Sequence, residues 1–198
     1  MQVEVMMTGV GGQGIQLAAK TLALGAVHEG RPAMLCGHYA GAIRGGQTDA
    51  SIVVADADLR ALPILPSAWS AFVMSPQYWE STHTFVRPGG PVVVNSSLVP
   101  PDLDDANLQL FRIPAGEVAS EQLSAPLGAS MVLLGAFCHI TGLVGIDALV
   151  SAMKELVPPY RAEHVAANET ALRVGHGLGP ELAAPAWAEA ALSGGAPL

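Results

Sequence analysis

A glycine-rich turn near the N-terminus has residue types and a spacing that could bind an anionic ligand. Gly9, Gly11 and Gly14 have Gly-x-Gly-x-x-Gly spacing, and Gly12 and Gln13 complete the turn. The turn follows an apolar run and opens a stretch of helical periodicity, the setting of a dinucleotide-binding fingerprint. Such glycines let backbone N–H groups approach a pyrophosphate at the positive end of a helix. We therefore predict that Gly9, Gly11, Gly12, Gln13 and Gly14 contact a cofactor or a partner chain.

The carboxylate that a nicotinamide dinucleotide needs is missing from the expected place. Residues 31–37, where the second strand should end, contain no Asp or Glu to accept the ribose hydroxyls. A Walker A loop is excluded because no Gly-Lys-Ser/Thr sequence follows the turn. NAD is thus disfavoured, and a tight turn that binds no ligand stays an open alternative.

A second loop, residues 37–47, follows the second predicted strand, at the sheet edge where ligands collect in open α/β folds. Arg44 precedes two glycines, and its guanidinium with their N–H groups could receive a carboxylate or phosphate. An interdomain salt bridge is the other interpretation. No Asp or Glu lies near His38 in sequence to orient its ring, so His38 and Tyr39 are interpreted as contact residues. The candidate contacts of this loop are His38, Tyr39, Arg44, Gly45, Gly46 and Gln47.

Motifs for independent catalysis are absent from the sequence. Neither the Gly-x-Ser-x-Gly elbow of hydrolases nor the His-Glu-x-x-His helix of zinc proteases occurs. The two cysteines, Cys36 and Cys138, are too few for a Cys-only metal or iron–sulfur site, although a disulfide between them stays open. We therefore expect no catalytic residue and no metal site in this chain.

Apolar runs and helical periodicity alternate along the chain. Strands are predicted at residues 3–8, 31–36, 48–55, 71–74, 92–94 and 108–113. Helices are predicted from Ile15 to the stop at Gly30 and at residues 130–140, 146–156 and 162–174. The first two strands and their helix form a βαβ unit with a parallel second strand. The pattern predicts an α/β fold with a doubly wound, mostly parallel, Rossmann-like sheet and helices on both faces.

Composition limits the domain organisation and the function. The chain has 198 residues, 51% of them hydrophobic and 13% charged, which excludes a disordered chain. We predict one domain over residues 1–179 and a C-terminal tail, 180–198, that frays or packs on a partner. The net charge of −8 argues against nucleic acid, whose binding depends on cations that displace counterions.

A charge-free stretch, residues 127–146, is long enough to span a membrane. Four glycines and His139 interrupt it, so a buried core helix is the better interpretation. The N-terminus has no basic segment followed by an apolar run, and we expect a cytoplasmic protein without a membrane partner.

Several motifs in a fixed order carry a family resemblance over roughly residues 3–177. They are the turn at 9–14, Arg44-Gly45-Gly46, Arg87-Pro88-Gly89-Gly90, the apolar segment from Met131 to Thr141-Gly142, and Asn168-x-x-Ala171-x-x-x-Gly175. This series resembles the gamma subunit, or gamma domain, of the 2-oxoacid:ferredoxin oxidoreductases. Two positions depart from the family: Ser130 stands where Asn is usual, and Ala42-Ile43 stand where Gln or Glu-Ala is common.

The resemblance implies a multi-subunit enzyme that converts a 2-oxoacid and coenzyme A to acyl-CoA, carbon dioxide and low-potential electrons. Thiamine diphosphate, Mg²⁺ and [4Fe–4S] clusters would carry that chemistry on alpha, beta and ferredoxin-like delta subunits. The gamma chain would be a structural and docking subunit that binds no cofactor alone, with Gln13 and Arg44 contacting a partner or the phosphates of coenzyme A. A stand-alone nucleotide- or coenzyme A-binding module and an NAD(P) dehydrogenase remain the alternatives.

Overall fold

The computed structural model describes residues 1–39, 45–59, 65–103 and 105–188, except the side chain of Tyr39. Six strands form one sheet in the order β2-β3-β1-β4-β5-β6. They are β1 (Gln2–Val10), β2 (Ala33–Tyr39), β3 (Gln47–Ala55), β4 (Ser70–Val73), β5 (Pro91–Asn95) and β6 (Gln109–Ile113). All six predicted strands are present, and several are longer than predicted.

Strand β3 separates the first two strands of the chain. It pairs antiparallel with both β1 and β2, whereas β1, β4, β5 and β6 form a run of parallel pairs. The second strand therefore has the direction predicted for it but is not the neighbour of β1. The chain positions of β2 and β3 are close, as in antiparallel neighbours, and the buried residues from Ala50 to Ala55 suit a strand inside a sheet.

The described residues form six α-helices beside the sheet. They are α1 (Ile15–His28), α2 (Trp79–His83), α3 (Ala115–Glu117), α4 (Ala129–Thr141), α5 (Ile146–Leu156) and α6 (Val165–His176). The predicted boundaries of α5 are confirmed. The helix predicted from residue 162 begins later, because Pro159–His164 forms a 3₁₀ segment after Pro158.

The helices are distributed unevenly over the two faces of the sheet. The main core lies between the sheet and α1, α4, α5 and α6, and its largest buried side chains include Phe72 and Phe137. A smaller cluster with Val73, Val92 and Trp79 covers the other face of β4 and β5, where α2 has only five residues. The predicted α/β class and mostly parallel sheet are confirmed, with the antiparallel β3 as an addition.

Helix α4 runs through the core and is buried along most of its length. It has 13 residues and is capped at its C-terminus by Gly142, whose φ of 64° is in the left-handed region. The core helix predicted within residues 127–146 is therefore confirmed. In the described part of the chain, no helix is both long and apolar enough to cross a membrane.

Helices α4 and α6 approach each other closely through two glycines. A Cβ atom on Gly135 would lie 2.1 Å from the carbonyl oxygen of Leu172, and one on Gly175 would lie 1.9 Å from that of Val132. Both distances are far below a van der Waals contact. The crossing therefore requires glycine on each helix.

Part of the predicted C-terminal tail packs on the domain itself. The backbone N–H groups of Leu182 and Ala186 donate to the carbonyl oxygens of Ile140 and Thr141, each at 2.8 Å. Leu182 and Ala186 are also buried. Contact of this segment with a partner stays a prediction, and residues 189–198 lie outside the described part.

Candidate functional site

The main candidate site is a cleft at the carboxyl edge of the sheet, with a volume of about 460 Å³. It is lined by residues that follow β1, β4, β5 and β6 and by the first turn of α4. After β1, the chain forms β2 and β3 on one side of β1 and then crosses to form β4 on the other side. The cleft thus lies where the strand order reverses, the usual ligand position in open α/β sheets.

The glycine turn forms one wall of the cleft. Gly12 and Gly14 have φ values of 99° and 80°, which glycine adopts without strain. The Oε1 atom of Gln13 accepts a hydrogen bond from the backbone N–H of Val10 at 2.8 Å. Since only the oxygen of an amide can accept, this bond fixes the orientation of the Gln13 side chain. No described residue accepts a hydrogen bond from its Nε2, and Gln13 lines the cleft.

The structure brings the two glycine-containing loops of the sequence together. The backbone N–H of Gly11 donates to the carbonyl oxygen of Gly46 at 2.9 Å. A Cβ atom on Gly11 would lie 3.5 Å from the backbone nitrogen of Gly45. Two groups of predicted site residues are therefore neighbours: the turn at residues 9–14 and the pair Gly45 and Gly46. Arg44 lies outside the described residues.

His38 and Gln47 line a different cavity, which has a volume of about 390 Å³. This second cavity lies between the strands β1, β2 and β3 on one side and helix α2 on the other. The Oδ atoms of Asp49 accept hydrogen bonds from the Thr8 hydroxyl at 2.6 Å and from Gln47 Nε2 at 2.7 Å. Burial raises the pKa of Asp49, and these two hydrogen bonds oppose the shift. His38 Nε2 is 3.3 Å from the Ser51 hydroxyl. The predicted site residues are thus divided between two cavities.

Asp49 corrects an expectation about His38. No acid is near His38 in sequence, but the β2–β3 register places Asp49 directly opposite His38. The two residues are eleven positions apart, and only the antiparallel pairing of β2 with β3 brings them together. A sequence pattern that treats the second strand as the neighbour of β1 misses this pair.

The N-termini of α1 and α4 meet beside the cleft. Neither helix has a side-chain N-cap, since Gly14 and Gly128 occupy the cap positions. A Cβ atom on Gly14 would lie 2.5 Å from the hydroxyl of Ser130 in the first turn of α4. Each helix N-terminus is the positive end of a helix dipole, and at α4 the 3₁₀ segment Pro126–Gly128 extends the helix by one turn. The convergence of the two N-termini favours an anion at this position.

The rim of the cleft is apolar on one side. Leu127 is 83% exposed and Leu98 is 51% exposed, and both line the cleft. The exposed Glu117 is the charged residue among the described lining. The rim suits an uncharged part of a long ligand, and because the carboxylate of Glu117 repels anions, an anionic part is favoured only beside the helix N-termini.

Asn95 and Ser97, at the end of β5, are lining residues that the motif analysis missed. Asn95 is fully buried, and its side chain bonds to backbone groups of three loops. The signal in the sequence was the Asn-Ser-Ser run directly after the apolar strand 92–94. Such polar residues at a strand end mark the ligand edge of a parallel sheet.

The two cysteines do not form a metal site in the described structure. Cys36 is half-buried, Cys138 is fully buried, and both are free thiols. Burial raises the pKa of the Cys138 thiol, which keeps it protonated. Among the described residues, no group of three or more His, Cys, Asp or Glu side chains could hold a metal ion.

A cleft at a switch point in strand order is typical of α/β proteins that bind ligands at this edge of the sheet. The family model described as pyruvate ferredoxin/flavodoxin oxidoreductase matches residues 4–178, and the chain belongs to this family. The 2-oxoglutarate synthase subunit KorC of Methanothermobacter marburgensis is 30% identical over an alignment of 169 residues, which covers 82% of this chain and 90% of that subunit.

Solved structures have the same fold. The gamma subunit of a keto/oxoacid ferredoxin oxidoreductase from Geobacter sulfurreducens is 25% identical, with a TM-score of 0.74 over 87% of this chain and 95% of that one. A 2-oxoglutarate:ferredoxin oxidoreductase from Magnetococcus marinus shares the fold over 93% of this chain and 33% of that one, at 16% identity and a TM-score of 0.78. The resemblance noted in the sequence is confirmed: the chain is a gamma-type subunit of a 2-oxoacid oxidoreductase.

Proposed function

We propose that this chain serves an assembly that converts a 2-oxoacid and coenzyme A to acyl-CoA, carbon dioxide and two low-potential electrons. Thiamine diphosphate, Mg²⁺ and [4Fe–4S] clusters, when bound, supply the decarboxylation and electron-transfer chemistry on alpha, beta and ferredoxin-like delta subunits. The described part of this chain has no cluster of metal ligands, so its own residues do not suit the iron–sulfur centres. Its role in the assembly is docking and ligand contact.

The cleft at the carboxyl edge is the part of this chain that contacts coenzyme A in our proposal. Coenzyme A has an anionic diphosphate and a long, largely uncharged pantetheine arm. The converging N-termini of α1 and α4 suit the diphosphate, and the exposed Leu98 and Leu127 suit the arm. The Magnetococcus marinus protein of the same fold is described with 2-oxoglutarate, coenzyme A and succinyl-CoA bound.

The observation that carries the proposal is the orientation of Gln13. Its Oε1 accepts from Val10 N–H, so its Nε2 is a donor held at the wall of the cleft beside the N-terminus of α1. An oriented amide donor beside a helix N-terminus adds to the attraction for a phosphate oxygen. The side chain thus supports a ligand contact as well as the turn.

The test is the substitution Gln13→Glu in the assembled enzyme. Glutamate keeps an oxygen for Val10 N–H but replaces the Nε2 donor by a second anionic oxygen. We expect the KM for coenzyme A to rise about tenfold, the equivalent of roughly 1.4 kcal/mol, with the kcat unchanged. Steady-state kinetics with varied coenzyme A at a saturating 2-oxoacid concentration measures the effect.

The matched control is Gln2→Glu, which makes the same change of charge. Gln2 is half-buried at the start of β1, at the opposite edge of the sheet. An unchanged KM for coenzyme A in an assembled Gln13→Glu enzyme contradicts the coenzyme A contact. Loss of assembly by Gln13→Glu alone also contradicts it, because the turn is then a contact with a partner subunit.

A further inference from the structure

The end of β5 ties together the loops that form the floor of the cleft. The Nδ2 of Asn95 donates to the carbonyl oxygen of Met74, after β4, at 3.4 Å. Its Oδ1 accepts from the N–H of Ser97 at 3.3 Å and from the N–H of Gly116, after β6, at 3.2 Å. One buried side chain therefore connects the carboxyl ends of three neighbouring parallel strands.

Ser97 extends the connection to the start of α3. Its hydroxyl accepts a hydrogen bond from the N–H of Glu117 at 3.0 Å. A Cβ atom on Gly116 would lie 3.0 Å from that of Ser97, so the two loops are in close contact here. The position after β6 is thus held by two hydrogen bonds and by the small size of Gly116.

An amide is the side chain that fits these partners. The position must donate to one carbonyl oxygen and accept from two N–H groups, and of the short side chains only asparagine has an amide donor and a carbonyl acceptor on separate atoms. Aspartate lacks the donor, and alanine lacks both. Met74, Asn95, Ser97, Gly116 and Glu117 all line the cleft, so these bonds set the relative positions of its lining residues.

We propose that Asn95 is the positioning residue of the cleft, which holds the loops after β4, β5 and β6 in the arrangement that binds the ligand. The nature of the ligand rests on the proposed function, whereas the coupling of the loops does not. Asn95 acts through the loops and has no assigned contact with reacting atoms. Its loss is expected to widen the cleft without changing the chemistry.

The test combines Asn95→Asp with hydrogen exchange and kinetics of the assembled enzyme. Aspartate keeps the size and the Oδ1 acceptor, but it places a buried carboxylate against the carbonyl oxygen of Met74, and the repulsion and the burial of this charge push the three loops apart. We expect exchange to become about tenfold faster in peptides covering residues 74–76, 96–99 and 115–118, while β1 and α4 keep their protection. The KM for coenzyme A is expected to rise about tenfold at an unchanged kcat.

Two further variants separate positioning from general stability. Ser97→Ala removes only the acceptor for Glu117, so faster exchange is expected in residues 115–118 alone. This milder variant also serves if Asn95→Asp does not fold. Asn107 lies at an exposed turn, and Asn107→Asp makes the same chemical change as Asn95→Asp. We expect Asn107→Asp to alter neither the exchange in the three loops nor the KM for coenzyme A.

The outcomes distinguish this inference from the proposed function. Faster exchange confined to the three loops supports the positioning role. If it occurs with an unchanged KM for coenzyme A, the positioning role stands and the assignment of coenzyme A to the cleft is wrong. Unchanged exchange in the loops, or an equal increase across β1 and α4, overturns the positioning role.

Discussion

Replacing Gly175 by alanine is expected to lower the free energy of unfolding by about 3 kcal/mol, the upper end of the usual effect of overpacking a core. The new Cβ atom would lie 1.9 Å from the carbonyl oxygen of Val132 and 2.7 Å from its carbonyl carbon. These are backbone atoms of a buried helix, so they cannot move aside as a flexible side chain can. Helices α4 and α6 must separate along their contact. Denaturant unfolding followed by circular dichroism measures the change.

Gly177→Ala is the matched control for this prediction. Gly177 directly follows α6 and has a φ of −87°. The atom nearest to a Cβ added at Gly177 would be the carbonyl oxygen of Val174, at 3.5 Å. The substitution adds the same methyl group without a clash or a strained backbone. Equal stability of the Gly175→Ala and Gly177→Ala variants contradicts the close crossing of α4 and α6.

Replacing Gly14 by alanine is expected to destabilise the chain by about 2 kcal/mol or more, because alanine is strained at the φ of 80° found there. A second contribution comes from Ser130, whose hydroxyl would lie 2.5 Å from the new Cβ atom. The N-terminus of α1 would have to move away from α4. Denaturant unfolding of the purified chain measures the total.

Gly30→Ala and Ser130→Ala separate the two contributions. Gly30 has a φ of 77° with no atom within 4 Å of a new Cβ, so Gly30→Ala reports the backbone strain alone. We expect Gly14→Ala to be the more destabilising of the two. Adding Ser130→Ala to Gly14→Ala should recover part of the difference, since the nearest remaining contact is 3.4 Å. No recovery contradicts the contact between the two helix N-termini.

The elements of the fold could be predicted from local patterns because most of them have strong local signals. The apolar run before the glycine turn, the stop at Gly142 and the boundaries of α5 all follow from residues close in sequence. The position of β3 between β1 and β2 has no such signal, since its alternation predicts a strand but not its neighbours. The sheet order had to come from the structure.

The residues of the candidate site also divide into those that local sequence predicts and those that only the strand pairing brings together. The turn at residues 9–14 can be predicted because its four glycines lie within six residues and its context is a strand and a helix. Asn95 and Asp49 were missed because their partners are distant in sequence: Gly116 is 21 residues from Asn95, and Thr8 is 41 residues from Asp49. Hydrogen bonds between strand ends depend on the pairing of the strands, which local patterns do not define.

The measurement that tests the account most directly is a mild affinity purification of the tagged chain from its native cells. The recovered material is assayed for dye reduction that depends on coenzyme A, with a panel of 2-oxoacids. We expect larger thiamine- and iron–sulfur-containing chains to accompany the tagged chain, and one 2-oxoacid of the panel to be oxidised. Recovery of the chain alone and inactive, under conditions that preserve such complexes, would contradict its role as a subunit of a 2-oxoacid oxidoreductase.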